Sequence, residues 1–163
     1  MKIIHRLFIV LAVCVTAASA RAEDIILVPP LVPYDKVDTA SEDVRKDCDW
    51  NATMPRYLAK ESDGRVKIID QGIEAMPDKK LMLVATALHT VGGGGWSGPK
   101  WLVMEGKLTE GDKLLGSFEA RRQTIRGSMR GCGTLTSLSE DIADDILEWL
   151  KTPSLNAKLG NAK

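Results

Sequence analysis

Leu81-Met82-Leu83-Val84-Ala85-Thr86-Ala87-Leu88-His89-Thr90-Val91 is apolar on successive residues rather than alternate ones. A segment with this pattern has no face meant for water and reads as a central strand. Beyond the glycine run that follows, Lys100–Leu108 places Leu102, Met104 and Leu108 on one face, and Lys113–Gln123 places Leu114, Phe118 and Ala120 on one face. Thr109-Glu110-Gly111-Asp112 between them carries the composition of a hairpin turn. The three segments predict an antiparallel meander.

Outward from the meander, Asp24–Val28 reads as a short buried strand stopped by Pro29, Pro30 and Pro33. Residues 35–49 are charged and show no clean periodicity. Trp50, Met54, Tyr57 and Leu58 recur at helical spacing and predict a helix near 50–61, with Asp49 or Asn51 as its N-cap and Asp63-Gly64 as its end. Pro55 fits that helix in the first turn, where a missing N–H costs little. Arg65–Asp70 alternates weakly as a further strand. Arg126–Gly133 reads as a loop holding Cys132. Leu135, Leu138, Ile142, Ile146 and Trp149 then define an amphipathic helix stopped before Pro153. Its regular part starts as late as Ser137 if Ser137 and Glu140 form a capping box. The expected class is α+β: an antiparallel β-meander of about four to five strands with two helices packed on one face.

The amino terminus reads as an export leader. Lys2 and Arg6 precede the apolar run Leu7–Val15, and small-x-small cleavage patterns follow at Ala18-Ser19-Ala20 and Ala20-Arg21-Ala22. The run is too short to cross roughly 30 Å of hydrocarbon as a helix. Leu11-Ala12-Val13-Cys14 raises lipidation of Cys14 as an alternative, but Val13 is bulkier than the small residue such a motif carries before its cysteine. The expected organisation is a signal peptide at 1–22, one domain at 23–153 and a polar tail at 154–163, with no transmembrane segment after cleavage and a periplasmic or secreted location.

The whole chain balances 22 basic against 22 acidic residues, and the leader removes three basic residues and no acid. Nothing in that balance points to nucleic acid. Two cysteines remain, Cys48 and Cys132, and in an oxidising compartment they most simply pair. The competing reading, a nucleophilic or metal-binding thiol, needs further ligands or a base, and His89 is the one histidine left.

Several motifs fail on context. Gly93-Gly94-Gly95-Trp96-Ser97-Gly98 satisfies the spacing of a dinucleotide loop, but Pro99 and a strand follow where a helix must begin. The glycines read as a hairpin connection, and no cofactor is expected. Asp144-Asp145-Ile146-Leu147-Glu148 copies a diphosphate–magnesium spacing but lies opposite the leucine–isoleucine stripe, as a solvated helix face would. No metal is expected. Asn51-Ala52-Thr53 is a sequon, and its place at a helix start gives Asn51 a capping role instead. His89 reads as a hydrogen-bonded structural histidine or, alternatively, as the base of a small envelope hydrolase with an unrecognised serine or acid.

Two features read as functional. Trp96 and Trp101 flank the glycine run, and exposed tryptophans anchor sugars or partner proteins, although either ring could instead cap the core. Arg121, Arg122, Arg126 and Arg130 form the one basic cluster of a net acidic chain, able to meet an acidic partner or a lipid headgroup, or simply to solvate a strand end.

The run Gly93–Lys100, the segment Leu115-Gly116-Ser117-Phe118-Glu119-Ala120-Arg121-Arg122 and Asp145-Ile146-Leu147-Glu148-Trp149-Leu150 together resemble small exported proteobacterial proteins with paired cysteines and no assigned activity. More distantly, the order of elements is similar to the α/β domains of TolB's amino-terminal part and the curli secretion lipoprotein. That resemblance implies contact with another envelope protein and transfers no catalytic residue. The function expected is a non-enzymatic envelope binding or assembly module whose partner is another envelope protein or a glycan.

Overall fold

The structure, a computed structural model, describes residues 25–90, 98–125 and 131–162. The segment read as a leader, Trp96, Arg126 and Arg130 lie outside the described residues. The domain is α+β. Its strands are β1 (Ile26–Val28), β2 (Val66–Ile68), β3 (Lys79–His89), β4 (Lys100–Glu110), β5 (Lys113–Thr124) and β6 (Ala157–Gly160). Three α-helices join them: α1 (Glu42–Asp47), α2 (Trp50–Glu61) and α3 (Gly131–Trp149).

The sheet order is β2-β1-β3-β4-β5-β6. The predicted meander β3-β4-β5 is antiparallel, while β1 runs parallel to both β2 and β3, and β6 runs parallel to β5. Among the described residues six strands therefore replace the four to five expected, and the sheet is mixed. The parallel pairs arise because β1 reaches β2 through α1 and α2, and β5 reaches β6 through α3, crossovers that antiparallel neighbours do not need.

One face of the sheet carries the core. Leu81, Leu83 and Ala85 of β3, Leu102, Met104 and Leu108 of β4, and Phe118 and Ala120 of β5 pack with Trp50, Met54 and Leu58 of α2 and Leu135, Leu138, Ile142 and Ile146 of α3. Gly106 of β4 lies under the Phe118 ring, and a Cβ there would fall 2.2 Å from Phe118 Cζ. Gly106→Ala is therefore expected to cost about 1–3 kcal/mol by overpacking, read from a denaturant melt.

Six details depart from the sequence reading. Residues 35–49 contain α1, whose Ser41 hydroxyl accepts from the Val44 N–H at 3.4 Å. Val44 is its one buried residue, too little to show a period. Pro55 sits in the second turn of α2, not the first. The carbonyl it leaves unpaired, that of Asn51, accepts the Val32 N–H at 3.0 Å instead. Asn51 Nδ2 donates to the Val32 carbonyl at 3.4 Å, so Asn51 staples the preceding segment rather than capping the helix. The register shifts between Leu108 and Thr109, so that Leu108 pairs with Gly116 and Thr109 with Leu114. That bulge turns Leu114 away from the core face, leaving it 45% exposed.

The other two departures concern the ends of α3. The helix begins at Gly131, so Cys132 lies in its first turn and not in a loop, and Ser137 is interior rather than a cap. Beyond it, the expected polar tail contains β6, whose Ala157–Gly160 pair with Phe118–Arg121. Among the described residues no helix is long and apolar enough to cross a membrane.

Candidate functional site

Side chains on the sheet face opposite α2 and α3 line up in cross-strand rows. His89, Trp101 and Gln123 form the row nearest the end where β3 stops and β4 begins. There the His89 and Trp101 rings stack, with centroids 4.2 Å apart and planes 18° from parallel. One face of the His89 ring is thus covered by this indole. Ala87, Val103 and Arg121 form the next row. Arg121 Nη2 donates to Gln123 Oε1 at 3.3 Å, and its Nε is buried with no hydrogen-bond partner. Val84, Glu105, Glu119 and Lys158 follow, with Lys158 Nζ 2.8 Å from Glu119. The face thus changes from aromatic and half-buried at one end to charged further along.

The same end of the sheet gathers the connections between elements. A Cβ on Gly131 would lie 2.1 Å from Thr90 Oγ1, so the end of β3 and the start of α3 are in contact. The β3–β4 connection leaves just after Thr90, and the β5–α3 connection arrives just before Gly131. Trp96 belongs in sequence to the first and Arg126 and Arg130 to the second, and all three lie outside the described residues. The Cys48–Cys132 disulfide, with Cα atoms 5.1 Å apart, ties the end of α1 to the first turn of α3 at this place.

Arg122 has a different occupation. Strand alternation turns it to the helix face, where Nε meets Asp145 Oδ2 at 2.7 Å and Nη2 meets Oδ1 at 2.5 Å. Its pKa is raised, first by this hydrogen bonding; burial works in the opposite direction, and the charges of Asp145, Asp141 and Asp144 add to the rise. Gly160 makes room for the pair: at φ 62° its absent Cβ would lie 2.9 Å from both Arg122 Nε and Asp145 Oδ2. Asp145→Asn keeps the shape and removes the charge. It is expected to cost about 1–2 kcal/mol in a denaturant melt, between the values for exposed and fully buried pairs.

The acidic run of α3 is the solvated face expected, with Asp141, Asp144 and Glu148 exposed and Asp145 half-buried against Arg122. Asp144 accepts from the Tyr57 hydroxyl at 3.1 Å, Asp145 holds Arg122, and Glu148 pairs with Lys151. The Tyr57 pKa is raised, by burial first and then by that carboxylate. Among the described residues no three His, Cys, Asp or Glu side chains converge as a metal site would require. Strand parity in β5, with Phe118 and Ala120 inward, was the signal that separates Arg122 from Arg121. The Trp101–His89 stack had no such signal, because it depends on the register across the glycine connection.

No protein-family model matches the chain, and no curated protein matches it. Among solved structures, the chain is similar to the PelC dodecamer subunit from Paraburkholderia phytofirmans over 73% of this chain and 84% of that one, with 14% identity and a TM-score of 0.46. It is also similar to a DUF330 protein from Xanthomonas campestris over 78% of this chain and 83% of that one, with 11% identity and a TM-score of 0.47. These are distant similarities of chain path; they assign no activity to this protein and do not bear on the resemblance to TolB or the curli secretion lipoprotein.

Proposed function

We propose that this protein is an exported, non-enzymatic module that binds another component of the cell envelope through the end of the sheet bearing Trp101. The observation that carries this reading is the stacked Trp101–His89 pair on the face opposite the helices, with Arg121 in the adjacent row. A half-buried indole held at fixed register is a preorganised anchor for a sugar ring or an apolar side chain. Arg121 is a neighbouring cation that donates to the neutral amide of Gln123, which suits it to an acidic group on the same partner. The same reading assigns Trp96, Arg126 and Arg130, which lie outside the described residues, to the binding surface. The leader and the disulfide support an oxidising compartment outside the cytoplasm.

Pull-down from an envelope extract tests the reading. Trp101→Ala is expected to abolish capture while costing about 1–2 kcal/mol of stability, the scale of a lost aromatic stack with part of its burial. Trp96→Ala is expected to reduce capture with the melting temperature nearly unchanged. Capture that survives both substitutions would overturn the proposal. A hydrolytic activity lost in His89→Ala but retained in Trp101→Ala would favour the hydrolase alternative instead.

A further inference from the structure

At the opposite end of the sheet lies a cavity of about 450 Å³, lined by Ile26, Leu108, Leu115, Leu150 and Pro153 and by Arg65, Lys79 and Lys151. Its two kinds of lining are segregated by chemistry. The apolar residues come from β1, β4, the bulge of β5 and the segment after α3, and Ile26 and Leu108 belong to the buried core. The polar ones are all cations, and among the described residues no carboxylate lines the cavity. Such a volume, with an apolar wall and a few convergent polar groups, is typical of a small-molecule site.

We infer that this cavity binds a single-chain anionic amphiphile, an acyl chain carrying a carboxylate or phosphate head. The bulge at Leu115 opens the wall, since the extra residue of β5 has no partner on β4. Leu115, Leu150 and Pro153 give that opening an apolar wall. An acyl chain laid there would remove this surface from water. Arg65 donates its Nε to the Ser62 carbonyl at 3.2 Å, which fixes the guanidinium, and among the described residues it has no carboxylate at ion-pair distance. Lys151 pairs with Glu148 and stays largely exposed, able to turn toward a headgroup. The carboxyl end of α3 disfavours an anion nearby, and the surrounding cations offset that. A neutral amphiphile would gain the apolar contact only, and a free anion the charge contact only.

Isothermal titration of the purified exported chain with dodecanoate, below its micelle concentration, tests the site. Saturable one-to-one binding is expected, with Arg65→Gln weakening it about tenfold and Lys151→Glu weakening it further. Lysophosphatidylglycerol distinguishes the headgroups: preference for it assigns a phosphate head, and preference for dodecanoate a carboxylate. Inorganic phosphate and dodecyl maltoside are expected not to bind measurably. Trp101→Ala is expected to bind like the parent chain, which separates this site from the surface of the proposed function. Absence of saturable binding by either anionic amphiphile, equal binding of dodecyl maltoside, or indifference to both Arg65→Gln and Lys151→Glu would overturn the inference.

Discussion

Replacing Cys48 and Cys132 by alanine is expected to lower the stability of the domain by about 4–5 kcal/mol. The bridge joins residues 84 positions apart, and the entropy removed from the unfolded chain grows slowly with loop length to that magnitude. Reduction of the natural chain should give the same displacement of the denaturation midpoint. A displacement below about 1 kcal/mol would show that the unfolded chain is not loosened by losing the bridge. Its placement gives the loss a second consequence. The disulfide joins α1 to α3 beside the roots of both connections, so the reduced protein should lose partner capture before it unfolds globally.

Trp50→Ala is expected to cost about 3–5 kcal/mol, the range for deleting a large aromatic from a core. Trp50 has no exposed surface and meets the Tyr34 ring edge-on at 5.9 Å. Its indole Nε1 is buried beside the Tyr34 hydroxyl without meeting it in hydrogen-bond geometry, so Trp50→Phe, which removes that group along with some volume, should be far milder, about 1 kcal/mol. Urea melts of the two variants decide the matter. Similar losses from both would mean that the indole N–H, and not the volume, holds α2 in place. Burial raises the pKa of the neighbouring Tyr34 hydroxyl despite the opposing influence of Trp50 and Arg45, consistent with a site closed to water.

What the sequence made legible follows from how each element buries its side chains. β3 announces itself by apolar residues on both faces, β4 and β5 by alternation, and α2 and α3 by apolar steps of three and four. The residues that escaped have little side-chain burial to display. α1 buries Val44 alone, and β6 joins the sheet by backbone pairing, with Lys158 bonded to Glu119 on its outer face. The start of α3 was hidden by Gly131 and Gly133, which read as loop residues although Gly131 is required by its contact with Thr90. Single-residue features such as the bulge at Leu115 carry no composition signal, yet they decide that Leu114 faces out and help open the basic cavity. For the candidate surface, the residue types were readable and their assembly was not. Trp101 and Arg121 come together through strand register, while Arg122, one position along, is taken by Asp145.

The central claim is that the Trp101 end of the sheet is where the protein meets its partner. Gln123 is exposed and shares a row with Trp101, whereas Lys67 is exposed on β2, an edge strand at the far side of the sheet. A photo-reactive benzoylphenylalanine installed at either position and irradiated in intact cells reads the contact directly. The account predicts a discrete higher-mass adduct from position 123 and none from position 67. No adduct at 123, or equal adducts from both positions, would contradict it.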